Sequence, residues 1–180
     1  MAVKQAIQVG NPVIRAKTKQ VKGQVVTNIK KVIRDLTDSM REHNLVGMAA
    51  PQIGESLRIF VTEIRKTKFR KDEELDELRV FINPKIIETS SKQSKDWEGC
   101  GSVAESGLFA KVARPESISV EAINESGEKF SLKAKSLLAR VIQHEMDHLD
   151  GVLFIDKADL ATAMSRNEYL KFKEQALKKF

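Results

Sequence analysis

A chain of 180 residues, 41% hydrophobic and 31% charged, is ordinary for one soluble globular domain spanning residues 1–180. Its formal charge of +6 and pI of about 9.4 attract it to anionic surfaces, ribosomal RNA among them, although a solvated lysine-rich surface explains the same count. No run approaches about 18 apolar residues, which excludes a transmembrane helix, and a lone cysteine excludes an internal disulfide and points to a reducing, cytoplasmic setting.

The first residues, Met1 to Gln5, lack the apolar core of a signal peptide. Gly10-Asn11-Pro12 marks a turn. Thr27 or Asn28 can cap a helix whose apolar positions Ile29, Val32, Ile33, Leu36 and Met40 form one stripe, ending near Asn44. Val46 to Gly54 reads as loop or irregular strand, and Arg58 to Thr62, β-branched and aromatic, as a strand. Lys66 to Glu77 is densely charged and reads as an exposed excursion. Val80–Ile82 and Lys85–Ile87 read as strand segments interrupted at Asn83-Pro84, and Thr89–Lys95 as loop. Ser117–Ile123 alternates at period two, and the turn Asn124–Gly127 leads into Phe130–Leu132 as a hairpin. Ser136 can cap a second helix running to about Asp150, with Gly151 just past its end. Ser165-Arg166-Asn167-Glu168 matches a capping box, so a last helix runs toward Phe180. Strands with helices interspersed predict an α+β fold around a mainly antiparallel sheet.

The second helix carries His144-Glu145-Met146-Asp147-His148, with HExxH spacing. Residues four apart on a helix lie one above the other, roughly 6 Å along the axis. Two imidazoles so placed can grip one metal ion, while Glu145 on the adjacent edge reaches its water. Two of the three histidines in the chain sit in this motif, and they share a face with Leu137 and Val141, which points them inward. His43 reads as an ordinary residue at a helix end. A catalytic divalent site has three protein ligands and one open position. Two residues compete for the third place. Glu168, 20 positions after His148, has the spacing of thermolysin-like metalloproteases but also a local role in the capping box. Cys100 is flanked by Gly99 and Gly101, which suits a backbone passing close to something, although a lone cysteine is also an ordinary small core residue.

Three segments together resemble peptide deformylase: Gly47-Met48-Ala49-Ala50-Pro51-Gln52, Glu98-Gly99-Cys100-Gly101-Ser102, and Gln143-His144-Glu145-Met146-Asp147-His148. The likeness extends from Gly10-Asn11-Pro12 to Gly151-Val152-Leu153-Phe154. It implies an α+β fold with antiparallel strands around the HExxH helix, flanked by an N-terminal amphipathic helix and a C-terminal helix. It implies removal of the formyl group from N-formyl-methionyl polypeptides. It also implies a metal site of Cys100, His144 and His148 rather than Glu168, holding Fe(II), with zinc, nickel or cobalt able to replace it. By the same resemblance Glu145 moves protons, while the Gln52 side chain and the Gly101 N–H donate to the oxyanion. Val46, Gly47 and Glu98 are the expected residues around the substrate, Glu98 supporting the site rather than reacting. Read without the family, Gln52 is a loop glutamine facing solvent and Glu98 a surface carboxylate.

The motifs depart from the family's usual pattern at three places. Leu45 stands where a glycine is usual, Gly101 where leucine is usual, and Val103-Ala104-Glu105-Ser106-Gly107 where proline and arginine often follow. A backbone donor survives at 101, so the chemistry carries over while substrate preference is left open. The alternatives are a deformylase acting on another N-formylated substrate, an endopeptidase using Glu168, and a catalytically silent formyl-peptide or ribosome-binding protein. The expected partners are N-formylated nascent peptides, and the ribosome through Lys171, Lys173, Lys178 and Lys179 of the last helix, against the plainer reading of a solvated face with Tyr169, Phe172 and Ala176 inward. No membrane and no DNA partner is expected.

Overall fold

Period-two strands and amphipathic helices meet in two antiparallel sheets in the computed structural model, which describes residues 3–22, 26–70 and 74–178, with the backbone alone at 26–28. In chain order the elements are α1 (Val26–Glu42), β1 (Gly47–Ala49), β2 (Ile59–Ile64), β3 (Asp76–Thr89), β4 (Gln93–Gly99), β5 (Leu108–Pro115), β6 (Ser117–Ile123), β7 (Lys129–Lys135), α2 (Ser136–Leu149), β8 (Ala158–Ser165) and α3 (Arg166–Leu177). One sheet has the order β1-β2-β3-β6-β7 and the other β4-β5-β8. Every ladder within them is antiparallel.

Alternation along β2 and β3 assigns the two faces of the larger sheet. Ile59, Val61, Val80 and Ile82 pack with Val32, Leu36 and Met40, the stripe of α1. Phe60 and Phe81, stacked at 4.5 Å, point the other way and pack with Ala139, Ile142 and Leu149 of α2. A third cluster joins Ile14, Cys100, Val112, Leu153 and Phe154 at the smaller sheet. The helix α2 touches β1, β2, β6 and β7 of one sheet and β5 of the other.

Several expectations shift. The helix α1 starts at Val26, so Thr27 and Asn28 fall inside it and their side chains lie outside the described residues. Asn83-Pro84 does not interrupt the strand. β3 continues through it with a register shift, Asn83 taking φ 51° and bonding Val21 N and O at 2.8 and 2.9 Å. A bulge absorbs the missing proline donor. Gln93 to Lys95, expected as loop, begins β4. As the edge of its sheet it keeps polar residues in solvent and shows no apolar period. β5 and β8 lie where no strand was expected. Ser136 makes no side-chain cap; it is the first residue of α2, with φ 53°. Ser165 accepts from the Glu168 N–H at 3.4 Å, but the Glu168 carboxylate pairs with Lys171 and closes no box. Among the described residues no helix is long and apolar enough to cross a membrane.

Candidate metal centre

Two elements deliver the candidate ligands. α2 buries His148 and turns His144 to the same side, their rings 5.0 Å apart, and the end of β4 delivers Cys100. One ligand atom each from Cys100, His144 and His148 lies within 4.8 Å of the others, with Cys100 Sγ 3.2 Å from His148 Nε2. A sulfur and two imidazoles form a donor set for iron or zinc. His148 Nδ1 is buried without a partner, and the Ser102 N–H points at the sulfur from 3.4 Å. Glu168 lies apart on α3, exposed and bonded to Lys171 at 2.7 Å.

Glu98 is neither a surface carboxylate nor open to a substrate. It is 6% exposed, and both its oxygens are taken. Arg114 grips it through Nε at 2.6 Å and Nη2 at 2.9 Å, Arg140 Nη1 donates at 2.7 Å, and His144 Nδ1 lies 3.0 Å away. Fixing Nδ1 leaves the other ring nitrogen of His144 for a metal. Arg114 also holds Asp147 of the HExxH segment at 2.9 Å, and Lys157 bonds the second oxygen of Asp147 at 2.6 Å. Against the cost of burial, Arg114 and His144 hold the Glu98 carboxyl well below the usual carboxylate range. Burial also disfavours charge on both imidazoles. Cys100 and Glu98 nevertheless push His144 well above its ordinary value, whereas burial and the neighbouring His144 push His148 well below.

Glu145 sits beside the cluster, 3% exposed, with Oε2 bonded to nothing. Burial pushes its carboxyl up to about 7; a cation in the cluster acts in the opposite direction. Gly47 on β1 makes room for it: a methyl group at 47 would lie 2.9 Å from both Cγ and Cδ of Glu145. Val46, half-buried before it, accepts from the Glu63 N–H at 3.0 Å. Gln52 does not face solvent. It is 2% exposed, accepts from Ala49 N at 2.8 Å, and donates through Nε2 to Ser102 Oγ at 3.2 Å and toward Cys100 Sγ at 3.8 Å. Gly101 is buried between Cys100 and Ser102.

Arg114, Arg140 and Gln8 stand outside every motif, so the motif pattern carried no signal for them. The N-terminal segment ties the Gln52 and Cys100 regions together: Ile7 N–H donates to Gln52 O and Val9 N–H to Ser102 O, each at 2.8 Å. Between them Gln8 Nε2 donates to Gly101 O at 2.8 Å and Ala6 O at 2.9 Å, and its Oε1 accepts from Glu105 N at 3.1 Å. His43 lies away from this cluster, its Nε2 2.9 Å from Lys4 O.

The profile of the polypeptide deformylase family matches residues 3–163. A peptide deformylase of Carboxydothermus hydrogenoformans is 42% identical over 159 residues, 88% of this chain and 95% of the relative. One of Natranaerobius thermophilus is 39% identical over 88% of this chain and 94% of its own. In three dimensions the crystal structure of peptide deformylase from Thermotoga maritima superposes with a TM-score of 0.77 at 33% identity, covering 88% of this chain and 99% of that one. The Met-Ala-Ser-bound class I type b enzyme of Acinetobacter baumannii gives 0.81 at 28% identity, over 87% and 98%.

Proposed function

This chain belongs to the polypeptide deformylase family, hydrolases acting on the N-formyl amide bond, and from that premise we propose that Cys100, His144 and His148 hold its metal while Glu145 moves the protons. The carrying observation is the convergence of those three ligands beside a buried carboxylate oxygen that bonds nothing else. The substrate is an N-formyl-methionyl polypeptide and the product formate. The helix α2 is the axis of a single domain, with strands of both sheets against it.

The residues fit a divalent ion, which we take to be Fe(II), with zinc, nickel or cobalt as replacements. Such an ion would supply Lewis acidity at this point. Glu145 takes a proton from the attacking water as the new C–O bond forms, then delivers it to the amine nitrogen as the C–N bond breaks. The negative charge on the formyl oxygen needs donors already in place. Gln52 Nε2 has one hydrogen on Ser102 Oγ; its contact to Cys100 Sγ is long, which leaves the second for the oxyanion. The Gly101 N–H is the other donor. Glu98 orients His144 rather than touching substrate. β1 is the edge of its sheet, so the backbone of Gly47 can pair with an extended peptide, while the carbonyl of Val46 beside it is held by Glu63 of β2. The free cysteine fits a reducing cytoplasm, and Lys171 and Lys173 of α3 with Lys178 just past its end support a contact with ribosomal RNA, Lys179 lying outside the described residues.

The test is formate release from formyl-Met-Ala-Ser by protein purified without oxygen. Turnover is expected to stop on chelation and return with iron or nickel. Metal-replete protein that releases no formate would overturn the reading.

A further inference from the structure

Leu45 lies on the turn from α1 into β1, two residues ahead of the glycine that makes room for Glu145. Its N–H donates to Met40 O at 2.9 Å, and its carbonyl accepts from Arg65 Nη2 at 3.2 Å. The half-buried side chain crosses to the segment after Cys100. A methyl group built on Gly101 would lie 3.1 Å from Leu45 Cδ1 and 3.9 Å from Cδ2, with Ala6 Cβ at 3.7 Å. The φ angle of Gly101 is not among the positive ones, so its backbone does not require glycine. What the missing side chain admits is Leu45. One volume beside the Gly101 N–H can be filled from position 101 or from position 45, and not from both without displacement. The leucine and glycine departures noted in the first two motifs are therefore face to face.

We infer that Leu45 is a specificity-determining residue, walling the substrate pocket beside the Gly101 N–H with a side chain supplied by the α1–β1 turn. The inference rests on the deformylase reading and deepens it: the substrate feature it reads is the first side chain of the formylated peptide. A wall carried by a turn is set by the conformation of that turn, and it can be altered without touching the metal-bearing segment.

The experiment is a double-substitution cycle of Leu45→Ala, Gly101→Leu and both together, in the full-length metal-loaded protein. Three readouts are taken: the ratio of kcat/KM for formyl-Met-Ala-Ser to that for formyl-Phe-Ala-Ser, the calorimetric affinity for Met-Ala-Ser, and the thermal midpoint. Leu45→Ala is expected to lower the ratio about tenfold, the scale at which a hydrophobic pocket discriminates. Gly101→Leu alone is expected to weaken Met-Ala-Ser about tenfold and lower the midpoint, because the new side chain meets Leu45. The double variant is expected to return toward wild type in affinity and midpoint. Should Gly101→Leu fail to fold, Gly101→Ala takes its place in the cycle, since its methyl meets the same Leu45 Cδ1. An unchanged ratio in Leu45→Ala, or effects of the two substitutions that simply multiply, would overturn the assignment. A wild type that releases no formate from either peptide, while affinity and midpoint show the coupling, would sink the deformylase reading and leave the shared volume standing.

Discussion

Gly47 and Glu145 work as one unit, because the carboxylate occupies the space in which a side chain at 47 would stand. Gly47→Ala is predicted to displace Glu145 and lower kcat about 100-fold, within the usual range for losing a positioned proton-transfer group. Bound metal should stay equimolar. Formate release measured beside metal content checks this, and an unchanged rate would detach Glu145 from the chemistry. Gln8 acts one step further out. Its amide holds the Gly101 carbonyl and the Glu105 N–H, restraining a glycine that has backbone freedom of its own. Gln8→Ala is predicted to lower kcat about fivefold with little change in KM, as expected for a group that places a transition-state donor. A rise in KM at constant kcat would instead make Gln8 a binding residue. Neither pairing is legible in the sequence. Gly47 and Glu145 stand almost a hundred positions apart, and Gln52 without the family reads as a solvent-facing loop residue because only tertiary contacts bury it.

Among the elements, β4, β5 and α2 are joined through Glu98, whose carboxylate holds two arginines that are 3% and 7% exposed in Arg114 and Arg140 and orients His144. Glu98→Gln would leave the buried Arg140 without its counter-charge and Arg114 with Asp147 alone, at a cost of about 3–5 kcal/mol. It should also loosen the metal about 10- to 100-fold, as removal of a ligand's supporting partner does. Thermal melts and competitive metal titration would show both, and a variant of unchanged stability and metal affinity would refute the role. On the outer face of the small sheet, Tyr169 of α3 stacks on Phe109 at 4.1 Å and lies 5.8 Å from Trp97. Tyr169→Ala is predicted to lower the thermal midpoint by several degrees, consistent with loss of about 2–3 kcal/mol of aromatic packing. A midpoint within about a degree of wild type would show α3 to be an ornament on the surface. The stripe of α1 and the alternation of β6 and β7 were readable because each has one face on a core and one in water. β4 was not, since an edge strand with polar residues on its outer face has the composition of a loop. The span of α2 agrees with its sequence pattern, but its cap does not: at Ser136 a left-handed residue after β7 takes the place of a side-chain cap.

At the scale of the molecule, three short segments from different parts of the chain meet at one point. The edge strand β1 brings Gly47 and leads to Gln52, the end of β4 brings Cys100, and α2 brings both histidines and Glu145. Those segments were legible as motifs in order, because metal ligation and proton transfer restrict residue types tightly. Their supports were not, because a buried arginine or a glutamine reaching from the N-terminal segment can only be recognised once the partner is in place. The chain's charge of +6 predicts no fold and at most a salt-sensitive attraction to anionic partners. The most direct test compares wild type with Glu145→Ala, measuring bound metal and formate release from formyl-Met-Ala-Ser in the same samples. Equimolar metal in both and a rate lower by about 100-fold or more in the variant is the predicted result. A variant that keeps its metal and turns over at the wild-type rate would contradict the assignment of Glu145 as the proton-moving group.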